Sequence, residues 1–206
     1  MRTRLIALGT VFLTGSLALT ACSAPSHGTA SEHHTVVMNA DYPVYEGVAD
    51  AGADSDVVVK GTYTDSRVTL LRPEQSDSMD PHANPQAGAA DVGTEDDAMA
   101  VVVTVSEVRV EEVVKGDVAV GDVIEVSQLG GTYDGTTYQE EGTTLLPDVD
   151  GDVVLLLAKT SKTGYDPINP DQGVLVDTGV SLHDTTGQVV FNDVNTVDEL
   201  KKAITR

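Results

Sequence analysis

One cysteine, Cys22, stands in the 206 residues, and tryptophan is missing altogether. A lone cysteine excludes an intrachain disulfide framework. Aromatic side chains are scarce, with six Tyr and two Phe, so a core must be assembled from Val, Leu and Ile. Basic residues are scarce too: 12 Lys and Arg stand against 33 Asp and Glu, for a formal net charge of −21. That balance excludes nucleic acid as a partner and direct attraction to anionic lipid. Familiar catalytic signatures are also missing. The chain holds no HExxH pair, no Gly-x-Ser-x-Gly elbow and no phosphate-cradling glycine loop ahead of a helix. Acidic residues are frequent, but frequency alone assigns no acid–base pair.

What the sequence does have is a leader. Arg2 and Arg4 precede an apolar stretch from Leu5 to Leu19, and the small residues Thr20 and Ala21 follow. This is the layout of a secretory signal peptide, too short and wrongly flanked for a membrane span. Leu19-Thr20-Ala21-Cys22 resembles the lipobox of bacterial lipoproteins at every position. The resemblance implies a diacylglycerol thioether on the Cys22 sulfur, cleavage after Ala21 and acylation of the new amino terminus. No other cofactor is expected. Each buried methylene contributes roughly 0.8 kcal/mol, so one chain holds a protein marginally and two hold it stably. A diacylglyceryl group supplies two, and places the protein on the outer face of the cell membrane without any basic patch.

Removing residues 1–21 leaves 185 of the 206, enough for one domain with a real core. The leader takes two arginines and no acid with it, so the net charge moves from −21 to −23. At physiological salt the resulting repulsion from an anionic membrane reaches only about 8 Å, and tether length matters more. If Cys22 is lipidated, no thiol remains for a zinc site or for nucleophilic catalysis.

Residues 22–35 read as a lipidated flexible tether, small, polar and without periodicity. His27, His33 and His34 within it are expected to be solvated linker rather than a metal site. The domain is expected over 36–206. A short helical turn falls within 42–53. A strand follows from Val57, with Val57, Val59, Gly61 and Tyr63 on one face and Val58, Lys60, Thr62 and Thr64 on the other. Gly61 in mid-strand marks a bend or a close backbone approach. Residues 73–98, with three prolines and an acidic run, read as a mobile insert. The longest strand comes next. Its apolar phase passes from Val101, Val103 and Val105 to Val108 and Val110, as at a β-bulge.

A further strand covers 122–129, followed by a polar loop to about Gly142, punctuated by Gly130-Gly131 and Asp134-Gly135. Val153 to Ala158 is apolar on both faces and must be covered on both sides. Beyond a proline-fixed loop at 165–173, short strands are expected at 174–177 and 188–191. The chain closes on NTVDELKKAITR, where Thr196 and Glu199 fit a capping box and Val197, Leu200 and Ile204 form an apolar stripe. This helix should cover the outer face of the doubly apolar strand.

The run SDVVVKGTY, VTVSEVRVEEVVKGD, GDVIEVSQLGG, GDVVLLLA and YDPINPDQGV resembles small lipoproteins of unassigned role from high-GC Gram-positive bacteria. More distantly, its order is similar to the netrin-type, tissue-inhibitor-like OB barrel. That likeness implies a mostly β fold, a single OB-like antiparallel β-barrel with a C-terminal amphipathic helix. Inhibitors of that type begin with a free-amine cysteine and are rich in disulfides, so their mechanism does not transfer to a chain whose only cysteine is Cys22.

Two stretches invite a metal reading. Asp148-Val149-Asp150-Gly151-Asp152 looks like a calcium loop, yet its Gly is fourth rather than sixth and VVLLLA after it supplies no carboxylate. It is expected to be a tight acidic turn. Asp166, Asn169 and Asp171 bear oxygens in the 165–173 loop, whose two prolines point to a fixed shape more than to a ligand. His82 and His183 are expected at the surface. No catalytic and no metal residue is therefore assigned; Cys22 for lipidation and Ala21 for cleavage are the site residues. The leading expectation is a non-catalytic binding or envelope-accessory module with an unidentified ligand or envelope protein as partner. A hydrolase-type enzyme with carboxylates from distant loops, around 165–173, and a calcium-dependent surface adhesion module are the alternatives.

Overall fold

Valine-rich stretches become strands because a branched Cβ fits a pleated surface better than a helix turn. Among the described residues nine strands form, most of the longer ones valine-rich: β1 (His34–Met38), β2 (Val57–Leu71), β3 (Val101–Lys115), β4 (Val123–Tyr133), β5 (Thr136–Glu140), β6 (Asp152–Lys159), β7 (Tyr165–Pro167), β8 (Val174–Asp177) and β9 (Leu182–His183). Two helices, α1 (Val48–Asp54) and α2 (Val197–Ile204), and a 3-10 turn at Leu146–Asp148 complete the described chain. The computed structural model describes residues 34–72, 80, 100–160 and 164–205, all within one unit spanning His33–Arg206. The leader, Ala21, Cys22, the tether up to residue 33 and the 73–98 insert apart from Asp80 lie outside the described residues. Among the described residues no helix is long and apolar enough to cross a membrane.

The protein is mostly β, a nine-stranded sheet with a C-terminal helix. Strand order is β1-β5-β4-β3-β2-β6-β8-β9, and β7 pairs with both β4 and β6. Pairing is mixed rather than wholly antiparallel as expected, since β1 runs parallel to β5 and β7 parallel to β4.

β2 and β3 are the longest partners, and three register shifts curl them. Glu111 and Val114 are the extra residues on β3, and Thr64 is the extra residue on β2. The bulge expected between Val105 and Val108 is therefore displaced. β3 runs in unbroken register against β4 from Val103 to Arg109. Val105 and Val108 are both fully buried because both faces of β3 are covered there, which mimics a change of phase in the sequence. Gly61 is a close approach, as expected: a Cβ there would stand 2.4 Å from the Arg109 carbonyl oxygen.

The core has two layers. Val57 and Val59 of β2, Val108 and Val110 of β3, Ile124 and Val126 of β4, and Val153, Leu155 and Leu157 of β6 pack together on one face. Val58, Val154 and Leu156 point the other way, into a cluster with Val48 and Ala51 of α1, Leu200 of α2 and Phe191 from the segment before α2. Each fully buried Leu or Val contributes roughly 1.5–3 kcal/mol. The doubly apolar strand is thus covered on both sides: α1 lies against its outer face, and α2, expected there, packs on α1 and β3 and adds Leu200 to the same cluster. The cap forms too: Glu199 N–H donates to Thr196 Oγ1 at 3.3 Å, and the Glu199 carboxylate accepts from Asn195 N–H at 2.8 Å.

Three further expectations need correction. His34 and Thr35, assigned to the tether, already pair with β5 as part of β1. The polar loop after β4 is instead a hairpin: Asp134 and Gly135 take positive φ of 47° and 76°, the turn that matches strand twist, and β5 returns along β4. No strand forms at 188–191. There the Asp184 carboxylate accepts from Thr186 N–H and Gln188 N–H, both at 2.8 Å, closing a tight turn after β9. Phe191 is anchored by its buried ring, without a ladder.

Candidate functional site

A cavity of about 270 Å³ opens on the face of β3 and β4 turned away from the inner core. Leu71, Val103, Ser127 and Leu129 floor it, and strand alternation puts all four on that face, with Val103 directly opposite Leu129. Its walls come from elsewhere. The arm that follows β1 contributes Ala40 and Tyr42, the end of β5 contributes Glu140, and Asp166, Pro167 and Pro170 rise from β7 and the loop behind it.

The arm is strapped in place by two amides. Asn169 Nδ2 donates to the Pro43 carbonyl at 2.9 Å. Gln172 binds the backbone of Tyr45 twice, accepting from its N–H and donating to its carbonyl, both at 2.8 Å. Asn169 Oδ1 is occupied by Asp171 N–H and Gln172 N–H, so this side chain shapes the loop instead of offering an oxygen to a ligand. Opposite the arm, the buried Gln128 accepts from Leu146 N–H at 2.8 Å and donates to the Thr144 carbonyl at 3.0 Å, fixing the segment behind β5.

Glu140 is the unusual member. It is 2% exposed, and its carboxylate accepts hydrogen bonds from the Thr143 and Tyr42 hydroxyls. Both partners are neutral. Hydrogen bonds to a charged acceptor are the stronger kind and offset part of the cost of burying it. Burial first, then the Glu140 charge and hydrogen bond, then the Asp166 charge, push the Tyr42 phenol well above its ordinary value. Tyr42 therefore stays a proton donor across the physiological range.

The residues singled out on sequence are dispersed. Ala21, Cys22, His27, His33 and His82 lie outside the described residues. His34 is exposed on the edge strand β1. Asp148, Asp150, His183 and Asp184 line a second cavity of about 280 Å³, where His183 Nε2 meets Ser181 Oγ at 2.7 Å and the buried Nδ1 has no hydrogen-bond partner among the described residues. Asp152 is drawn away into an ion pair with Lys60 at 3.0 Å. Among the described residues, no three His, Cys, Asp or Glu side chains converge in a manner that could hold a metal ion. Of the 165–173 oxygens only Asp166 enters the first cavity.

Tyr42, Gln128 and Glu140 are the site residues that sequence reasoning passed over. Gln128 carried a signal: it continues the inward phase of Ile124 and Val126, where a polar side chain needs partners. Glu140 would have been visible only with the Asp134-Gly135 turn read as a hairpin. Tyr42 had no local signal. No family model matches the chain, and no curated protein or solved structure does either.

Proposed function

We propose that the protein is a lipid-anchored, extracytoplasmic binding module in which an OB-like barrel holds a small ligand, with no catalytic step. Cys22 carries the lipid after cleavage behind Ala21, and the acidic domain stands off the membrane on its tether. The barrel reading draws support from the pairing pattern: β2 to β3, β3 to β4, β4 to β7, β7 to β6 and β6 back to β2 make a circuit of five strands. OB barrels have five strands and bind on the face of the second and third. In this circuit those are β3 and β4.

The observation that carries the reading is the cavity on that very face, apolar below and bearing the buried Glu140 on its rim. A mostly apolar pocket with few convergent polar groups is the usual form of a small-ligand site, and about 300–1,000 Å³ suits a drug-sized molecule. At about 270 Å³ this one suits something smaller. Amide chemical-shift mapping with a set of small amphiphiles tests it. The expected result is saturable shifts at Val103, Ser127, Leu129 and Glu140, abolished when Leu129→Trp fills the floor. Shifts confined to the second cavity, or none at all, would contradict the reading.

A hydrolase is the second reading, favoured by one fact: Glu140 and Asp166 come from distant segments to one cavity. Binding is preferred because the Glu140 carboxylate is already held by two hydroxyls.

A further inference from the structure

The cavity on β3 and β4 has walls of one character and a rim of another. Leu71, Val103, Leu129 and Pro167 are apolar, while Glu140 and Asp166 are its charged members, and among the described residues no Lys, Arg or His lines it. Glu140 is buried with two hydroxyls and no counter-ion among the described residues. A carboxylate out of water is costly unless paired, and an ammonium brought to it forms a charge-assisted bond of the strong kind. An anion would meet the like charge of Glu140 in a place of low dielectric, which costs several-fold more than in water.

From these features we infer that the cavity takes an alkylammonium group, its nitrogen toward Glu140 and its short apolar chain along Val103 and Leu129, as a free aliphatic amine or a lysine side chain would present it. The inference rests on the binding reading above and adds the chemical class. An inorganic cation fits less well, because the floor is hydrocarbon and no third carboxylate or imidazole converges with Glu140 and Asp166 among the described residues. A net charge of −21 further raises the local concentration of cationic ligands over anionic ones.

The test compares three probes of equal chain length, pentylammonium, 1-pentanol and pentanoate, by amide shifts in the full anchored protein held in non-ionic micelles. Pentylammonium is expected to saturate shifts at Val103, Leu129 and Glu140, with 1-pentanol at least about tenfold weaker and pentanoate without saturation. In Glu140→Gln, which keeps the shape and one acceptor oxygen, the preference should fall to within about twofold. A capped lysine tripeptide as fourth probe separates the two sources, binding if the ammonium comes on a protein and failing if only a free amine fits. Equal binding of pentylammonium and 1-pentanol, or tightest binding of pentanoate, overturns the inference and leaves the cavity intact as a neutral site. No shift at these amides with any probe overturns the cavity itself. The wild-type comparison stands even if the variant does not fold.

Discussion

Gly61 shows how one residue sets the path of a strand. Its missing Cβ lets the Arg109 carbonyl come within contact, just where register shifts bend β2 against β3. Gly61→Ala is expected to cost about 1–3 kcal/mol through overpacking against backbone that has little freedom to move. A urea midpoint corresponding to a loss below about 0.5 kcal/mol would show that the strands can part at no cost. That glycine was legible in the sequence because it interrupted an otherwise regular valine alternation. The charge pair beside it was not. Lys60 reaches Asp177 at 2.8 Å and Asp152 at 3.0 Å, and nothing in their separation along the chain announces it.

Burial pushes the Asp177 carboxyl up, but the Lys60 ammonium and the Gly179 N–H together outweigh it and hold the group below the usual carboxylate range. A depressed carboxyl contributes stability that is fully present above its unfolded value, about pH 3.9. That contribution is lost as pH falls through the lower folded value. Asp177→Asn should therefore unfold at lower urea than the wild type at about pH 6, with the gap closing toward about pH 2. A gap that stayed constant over this range would place the effect in packing instead.

At the scale of elements, the doubly apolar β6 and the capped, striped α2 were each legible, but α1 lies against β6 and α2 packs on α1 and β3. The β4–β5 hairpin was missed because TTYQE is polar and lies beside glycines that also suit a loop. Its strands are specified by the turn more than by their side chains. Gly135 has positive φ and open space around it, so the cost of a side chain there is purely conformational. Gly135→Ala is expected to cost about 1–2 kcal/mol, and faster hydrogen exchange should follow at Gln139 and Glu140 while β6 amides remain protected. Unchanged exchange in β5 would mean that β1, pairing on its other side, holds the strand without the turn. The site could not be read at this scale. Its floor is one sheet face, but its rim joins the arm at Tyr42, the strand end at Glu140 and the loop at Asp166, brought together by the β1–β5 pairing and by the Asn169 and Gln172 straps.

For the whole molecule, the sequence speaks most clearly at one end and the structure at the other. The lipobox and its single cysteine point to a membrane address, whereas the cavity and its buried glutamate emerge only from the folded sheet. The proposed reading, a binding module on a lipid anchor, would join the two: a tether at 22–33 would keep an acidic domain near the membrane, where its ligand would be met. The anchor is the claim on which the rest of that picture depends. It is tested most directly by detergent-phase partition of cells expressing the full chain or Cys22→Ala. The account predicts the wild type in the detergent phase with the membrane, and Cys22→Ala released from it into the aqueous fraction or the medium. A Cys22→Ala protein that remained in the detergent phase would contradict it.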